Sequence, residues 1–238
     1  MKDIILLPTY NERENIKLII PEIFSAHPDI QVLVIDDNSP DKTADVVREL
    51  QKNYPGLELL LRKEKAGLGA AYTHAFAHVL TRNDIDHVIT MDADGSHPVE
   101  YLKDMLAKGK DVDLVVGSRY TEGGGIENWE MWRMLLSRYG NLYARTLTGI
   151  PLQDLTAGFL CFRAKTLRRV PMDRIAASGY AFLMDLKFHS YYTAHATVAE
   201  VPILFKCRRE GESKISHHII GEGVRTPLRL LGQRIWNT

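Results

Sequence analysis

The chain has 238 residues, 45% hydrophobic and 25% charged, enough apolar material for a substantial core and too much for a disordered segment. Lys plus Arg number 30 and Asp plus Glu also 30, so a wholly basic nucleic-acid-binding domain is excluded. Cys161 and Cys207 are too few for a disulfide scaffold and point to a reducing compartment, and no window reaches the roughly 18 apolar residues that span a bilayer.

In chain order, strand and helix patterns alternate. Met1 to Asp3 runs straight into Ile4–Leu7, too short an apolar run for a signal peptide and read as a first strand. Ile16, Ile19, Ile20, Ile23 and Phe24 recur at helical spacing, with Asn11 and Glu14 as a capping-box start and Pro21 predicting a kink or early end. Val32–Ile35 is a second strand, after which Ser39 as cap and Pro40 at the first helical position open a helix through Val46, Val47 and Leu50. A third strand, Leu57–Leu61, leads through Gly67-Leu68-Gly69 into a helix with Leu68, Tyr72, Ala75, Phe76 and Val79 on one face. His87–Met91 is a fourth strand, Val99–Lys108 a helix and Val112–Val116 a fifth strand. This alternation predicts an α/β fold with a mostly parallel sheet covered by helices on both faces.

In such sheets ligands sit beyond the carboxyl ends of the strands. Pro8-Thr9-Tyr10-Asn11-Glu12, Asp36-Asp37, Gly67-Leu68-Gly69, Asp92-Ala93-Asp94 and Gly117-Ser118-Arg119 therefore share one rim. Asp92 and Asp94, two apart in extended backbone, face the same side, and paired carboxylates favour an oxygen-seeking divalent cation between them. At Asp37 a hydrogen bond to a base or ribose and a helix cap stand as equal readings. So do phosphate approach and simple turn-making at Gly67 and Gly69. Tyr72 stands where the last Gly of a dinucleotide fingerprint would be, which argues against hydride transfer.

Arg133, Ser137, Asn141 and Arg145 lie four apart, a polar stripe on a helix after Trp132, with Met131, Met134, Leu135, Leu142 and Tyr143 on an apolar side. Glu122-Gly123-Gly124-Gly125 reads as a flexible connection that closes over a ligand or as a loose surface loop. From Lys206 to Thr238 there are seven Lys or Arg against three acids, and Ile219, Ile220, Val224, Leu228, Leu231 and Ile235 alternate with Arg225, Arg229 and Arg234. That tail suits a basic amphipathic helix on a membrane surface or one packed on the main body. The expected organisation is a catalytic domain over 1–215 and an amphipathic helix over 216–238.

Seven ordered stretches carry a resemblance: Pro8 to Asn15, Asp36 to Asp41, Gly67 to Tyr72, Asp92 to Asp94, Gly117 to Tyr120, Asp154 to Phe159, and Arg208 to Lys214. Together the chain resembles the polyprenol-phosphate mannosyltransferases, including the dolichol-phosphate mannose synthases and, more nearly, bacterial polyprenol monophosphomannose synthases. The resemblance implies a GT-A type glycosyltransferase fold, a Rossmann-like sheet acting with Mg²⁺ or Mn²⁺. It implies GDP-mannose as donor, held by Pro8, Tyr10, Glu12, Val34 and Asp36 at the guanosine and by Asp92, Ala93 and Asp94 at the sugar diphosphate. Arg119, Arg133 and Ser137 would bind the phosphate of a polyprenyl or dolichyl acceptor, with Arg208 and Lys214 reaching the phosphates from the far side. Asp92, Asp94 and Arg119 would be the catalytic groups. Ser96 stands where many members carry a Gln as a further metal ligand beside Asp92 and Asp94.

A lipid monophosphate, with a second pKa near about 6, is already ionised at neutral pH and needs no general base. Asp185, where hydroxyl-using glycosyltransferases carry a base, is instead expected to orient a cation or the sugar, or to serve a structural partner. The implied setting is peripheral, on the cytoplasmic face of a membrane, with a separate membrane-anchoring protein as a further partner and no nucleic acid. Glucose transfer from UDP-glucose is the neighbouring alternative. A sugar nucleotidyltransferase stands further off, because it needs a Gly-rich basic loop where this chain has Pro8 to Glu12.

Overall fold

The computed structural model describes residues 1–177, 179, 181–206 and 217–236. Ile4 to Leu7 fall in strand β1 (Lys2–Thr9), and period two divides them between two cores: Ile4 and Leu6 on one face, Ile5 and Leu7 on the other. β2 (Gln31–Asp36) is split the same way, Leu33 and Ile35 against Val32 and Val34. Each such side chain contributes roughly 1.5–3 kcal/mol on burial. Both faces must therefore be covered. Helices α1 (Arg13–Ala26), α2 (Thr43–Leu50) and α4 (Leu102–Gly109) pack on one side. On the other lie α3 (Leu68–Val79), α5 (Met131–Thr148), α6 (Ala164–Leu167), α7 (Ala181–Tyr192) and α8 (His217–Trp236).

β3 (Leu57–Leu61), β4 (Ile85–Thr90), β5 (Leu114–Ser118), β7 (Leu160–Arg163) and β8 (Val198–Pro202) complete a seven-stranded sheet of order β3-β2-β1-β4-β7-β5-β8. β7 is antiparallel to both of its neighbours, while the other pairings are parallel. This inserted strand has a consequence for the rim. The parallel strands deliver the segments that follow them, whereas β7 delivers the segment before it, Asp154–Phe159. A short ribbon of β6 (Gly125–Ile126) and β9 (Leu204–Phe205) pins the glycine-rich connection after β5, and Gly124 is tight there because a Cβ would meet Ser118 O at 2.6 Å. The connection is not a loose loop.

Several helix starts differ from expectation. α1 runs unbroken past Pro21, because burial of Ile16, Ile19, Ile20 and Ile23 outweighs the roughly 3 kcal/mol cost of an internal proline. The Asn11–Glu14 capping box does not form. Instead, side chains of the next loop accept the first N–H groups: Ser39 Oγ from Asn11, Thr43 Oγ1 from Glu12 and Asp41 Oδ2 from Arg13, at 3.0, 3.2 and 3.0 Å. Ser39 does not cap α2 either. Its N–H and hydroxyl donate to Asp36 at 2.9 and 2.7 Å, and the helix begins at Thr43, whose N–H donates to Asp41 Oδ1. β4 and β5 end on the rim side at Thr90 and Ser118, and Val99–Tyr101 is a 3₁₀ turn before α4.

α8 docks on α5 and α7 through buried Leu230, an Arg229 ion pair to Asp185 at 2.7 Å and a Tyr143 hydroxyl donating to Val224 O at 3.1 Å. Among the described residues no helix is long and apolar enough to cross a membrane.

Candidate active site

A cavity opens on the rim at the ends of β1, β2 and β4. Its lining includes Pro8, Tyr10, Glu12, Asp37, Lys65, Gly67, Leu68, Asp92, Ala93 and Asp94. Tyr10 stands under the Lys65 ammonium, 3.9 Å from the ring centre. Of the two adjacent acids after β2, Asp37 faces the cavity and Asp36 does not. Asp36 is fully buried and accepts from Thr9 Oγ1 at 3.0 Å and from Ser39, so it builds the turn. Val34 is likewise fully buried, in the core beneath. Val34 and Asp36, expected at the guanosine, thus do not line the cavity; at the strand end alternation turns Asp37 toward it and Asp36 away. Burial pushes the Asp37 carboxyl above its ordinary range, against the pull of Arg62, which donates to it at 2.7 Å.

Gly67 and Gly69 have different tasks. Gly67, at φ 88°, makes the turn into α3 and lines the cavity, whereas Gly69 lets the helix approach Phe182, whose ring would lie 2.9 Å from an added Cβ.

Asp92 and Asp94 both line the cavity, but so does Ala93 between them: the strand ends at Thr90 and the acids stand in a turn, not in the extended backbone that the two-residue spacing assumes. Two hard carboxylate donors suit a hard divalent cation. Ser96 does not join them in the cavity wall: it is buried, and its hydroxyl and N–H donate to Asp94 Oδ1 at 2.6 and 3.0 Å. It orients the Asp94 carboxylate and, unlike the two acids, does not line the cavity as the expected third ligand would. His97 is equally buried. Its Nδ1 accepts from the Asp92 N–H at 3.0 Å, which puts the ring proton on Nε2, and burial holds the imidazole below its ordinary pKa, hence neutral. A separate grouping, Asp3, Asp86 and His87, lies at the opposite end of the strands, and there His87 is already bonded to Asp3 and Gly109 O.

The three residues expected at an acceptor phosphate are brought together. Arg119, 9% exposed, forms a fork with fully buried Asp154, Nε to Oδ2 at 2.7 Å and Nη2 to Oδ1 at 2.8 Å, and also donates to Thr156 Oγ1. Burial pushes Asp154 up, but the charge and hydrogen bonds of Arg119 outweigh it and hold the carboxyl below its ordinary range. The Trp129 ring lies 5.8 Å from the Arg119 guanidinium and 4.2 Å from that of Arg133. Tyr120, next to Arg119, donates its hydroxyl to Ser137 at 2.7 Å. The polar stripe of α5 is not a solvated face. Asn141 is buried and Arg133, Ser137 and Arg145 are half-buried, while Met131, Trp132, Leu135, Leu136, Tyr139 and Leu142 are exposed.

Sequence reasoning left Lys187 and Glu200 without a role at the site and placed Asn141 only in the polar stripe of α5, although all three grip the segment before β7. Arg208 and Lys214 lie outside the described residues. Asp185 is bonded to Arg229 and to the N–H groups of Ala176 and Ala177 at 3.0 and 3.1 Å, so its partners are structural.

Residues 4–173 match the model of the family "Glycosyl transferase family 2". The undecaprenyl-phosphate mannosyltransferase of Micrococcus luteus is 42% identical over 224 residues, 94% of this chain and 91% of that protein. The polyprenol monophosphomannose synthase of Mycolicibacterium smegmatis is 39% identical over 94% of this chain and 84% of that protein. Among solved structures, glucosyl-3-phosphoglycerate synthase from Mycobacterium tuberculosis, with Mn²⁺, UDP and glucosyl-3-phosphoglycerate bound, aligns at TM-score 0.67 over 97% of this chain and 80% of that one. At 18% identity that likeness concerns the fold alone.

Proposed function

The chain belongs to glycosyl transferase family 2 and has a GT-A type fold, and from that premise we propose that it transfers mannose from GDP-mannose to the phosphate of a polyprenyl monophosphate. The names of the two bacterial relatives support the sugar and the lipid class. The observation that carries the reading is one of adjacency. Asp92 of the acid-tipped cavity is near enough for its charge to act on Arg119, Arg119 and Arg133 share the Trp129 ring, and the helix that supplies Arg133 turns an apolar side outward.

A phosphate monoester dianion and a hydrocarbon chain require opposite surroundings, and α5 supplies both. Its inward side holds Arg133 and Ser137. Its outward side, with Val224 and Leu228 of α8 beside it, suits the surface of a membrane. Attachment is peripheral, at the cytoplasmic face, with a separate anchoring protein as a further partner.

Pro8, Tyr10, Glu12 and Asp37 would line the nucleotide, and Ala93 with the two acids would face the sugar diphosphate. Asp92 and Asp94 would hold Mg²⁺ or Mn²⁺, which when bound offsets the charge of the departing diphosphate. Arg119 and Arg133 hold the acceptor so that one phosphate oxygen attacks the anomeric carbon in line. The new C–O bond forms as the bond to GDP breaks, the electron pair leaves with GDP and the configuration inverts. No side chain has to take a proton, consistent with the structural engagement of Asp185.

The test is incubation of the protein with labelled GDP-mannose, Mg²⁺ or Mn²⁺ and a polyprenyl phosphate in vesicles, with UDP-glucose in a parallel arm. Mannose should become extractable with the lipid. Release of GDP without lipid-linked mannose, or transfer of glucose alone, would refute the reading.

A further inference from the structure

The segment beneath Arg119 is gripped at most of its main-chain polar groups by side chains from other elements. Glu200 of β8 accepts from the N–H groups of Gln153 and Asp154 at 2.8 and 3.0 Å. Asn141 Oδ1 of α5 accepts from Leu155 and Thr156 at 2.8 and 3.2 Å. Thr90 Oγ1 at the end of β4 donates to Gly158 O at 2.6 Å. The remaining clamp is Lys187 of α7, fully buried, whose Nζ donates to Leu155 O at 3.0 Å and Ala157 O at 2.7 Å.

A neutral amide or hydroxyl could satisfy these carbonyls at lower desolvation cost than an ammonium. The charge itself therefore needs an explanation. The groups acting on Lys187 are Asp154, Arg119 and Glu200. On its own helix, Asp185 is bonded to Arg229, and His189 lies 3.5 Å from Asp185. With Lys187 protonated, Lys187 and Arg119 balance Asp154 and Glu200. With it neutral, the cluster carries a net negative charge directly behind the guanidinium.

We propose that Lys187 is a positioning residue for the acceptor phosphate, its ammonium holding the Asp154–Gly158 segment under Arg119 and supplying the charge that lets that guanidinium meet a dianion. The inference rests on the reading that Arg119 binds this phosphate. Burial is the largest influence on Lys187 and lowers its pKa from 10.5 to about 7, against Asp154 and Glu200. Its charge therefore changes near neutrality. The neutral amine still has two protons for two carbonyls, so the segment stays held while the charge is lost. Linkage then requires the incoming dianion to raise the lysine pKa and to bind with proton uptake.

The experiment uses the full chain and farnesyl phosphate as a water-soluble probe. Calorimetry at pH 8 in two buffers of different ionisation enthalpy should show uptake of most of one proton on binding, at a pH where the probe itself is already dianionic. The KM for farnesyl phosphate should rise by up to about tenfold per pH unit above 7 with kcat little changed. Lys187→Arg, which does not titrate in this range, should flatten that rise, and Lys187→Met should hold KM high at every pH. Binding without proton uptake, or a Lys187→Met profile parallel to the wild type, would overturn the inference. The wild-type calorimetry decides even if a variant fails to fold. Farnesyl phosphate that does not bind the wild type at all would instead overturn the acceptor reading beneath it.

Discussion

Asp154→Asn removes one charge and almost no volume. The carboxylate is fully buried and accepts three donors from Arg119: the N–H at 3.2 Å, Nε at 2.7 Å and Nη2 at 2.8 Å. A carboxamide can offer its oxygen to one side of this fork, but its NH₂ must then face a donor, and the guanidinium remains buried without a counter-charge. Breaking a buried pair from one side costs roughly 3–5 kcal/mol. For a chain of this size that corresponds to a fall in Tm of about 6–20 °C. The assay is thermal melting followed by circular dichroism from pH 3 to 7. Because Arg119 holds the Asp154 pKa below its unfolded value, this contribution is fully present above about pH 4 and is lost as pH falls through the folded pKa. The wild-type and Asp154→Asn melting curves should therefore converge toward pH 3. A companion, Arg119→Met with Asp154→Leu, should recover much of the Tm because it replaces both charges with apolar side chains, while acceptor binding stays abolished. A drop under about 2 °C at pH 7, or a gap that persists undiminished at pH 3, would refute the claim that this fork is a charged, buried unit.

Asp37→Asn should raise the donor KM by roughly tenfold, about 1.4 kcal/mol, and Asp36→Asn should chiefly lower Tm, since the first side chain faces the cavity and the second the turn; steady-state kinetics beside a melt separates them. Leu136→Asp, on the exposed side of α5, should weaken association with anionic liposomes by more than about tenfold in a sedimentation assay and leave turnover of farnesyl phosphate unchanged. Lys187 makes a prediction of opposite sign to its effect on binding. Its folded pKa of about 7 lies below the 10.5 of the unfolded chain, so between these values the unfolded state holds more protons and stability should rise with pH. The wild-type Tm measured from pH 7 to 9.5 should climb relative to Lys187→Met, and a parallel pair of curves would remove the case for a titrating lysine.

The rim was legible because parallel strands betray their ends: an apolar run such as Val88-Ile89-Thr90-Met91 that stops at Asp92 can only be a strand arriving at an opening. Its fine structure was not. Asp36 and Asp37 are adjacent, and a period of two gives them opposite duties without leaving any mark in composition. β7 was invisible for a related reason, since Leu160-Cys161-Phe162 is too short an apolar run to show its direction. Lys187 was missed because its partners are carbonyls 30 and 32 residues away, and a main-chain acceptor has no sequence signature. The polar stripe on α5 was legible from its spacing alone, but its inward orientation depends on Asn141 meeting the Asp154 segment, which only the antiparallel β7 brings there.

Two features of the molecule work against its stability, and they flank the same segment. Large side chains such as Trp132, Leu136 and Tyr139 stand in solvent on α5, and an ammonium is buried in α7. A fold selected for stability alone would turn the apolar side inward and place a neutral donor such as Gln at position 187. The acceptor reading accounts for both departures through one molecule, because a lipid phosphate ends in a dianion and continues as hydrocarbon. The dianion calls for positive charge behind Arg119, where only a buried group can stand, and the hydrocarbon calls for an apolar exit within a helical turn of Arg133. Apolar residues beside Arg133 and Ser137 on a single helix satisfy the second demand, and Lys187 satisfies the first.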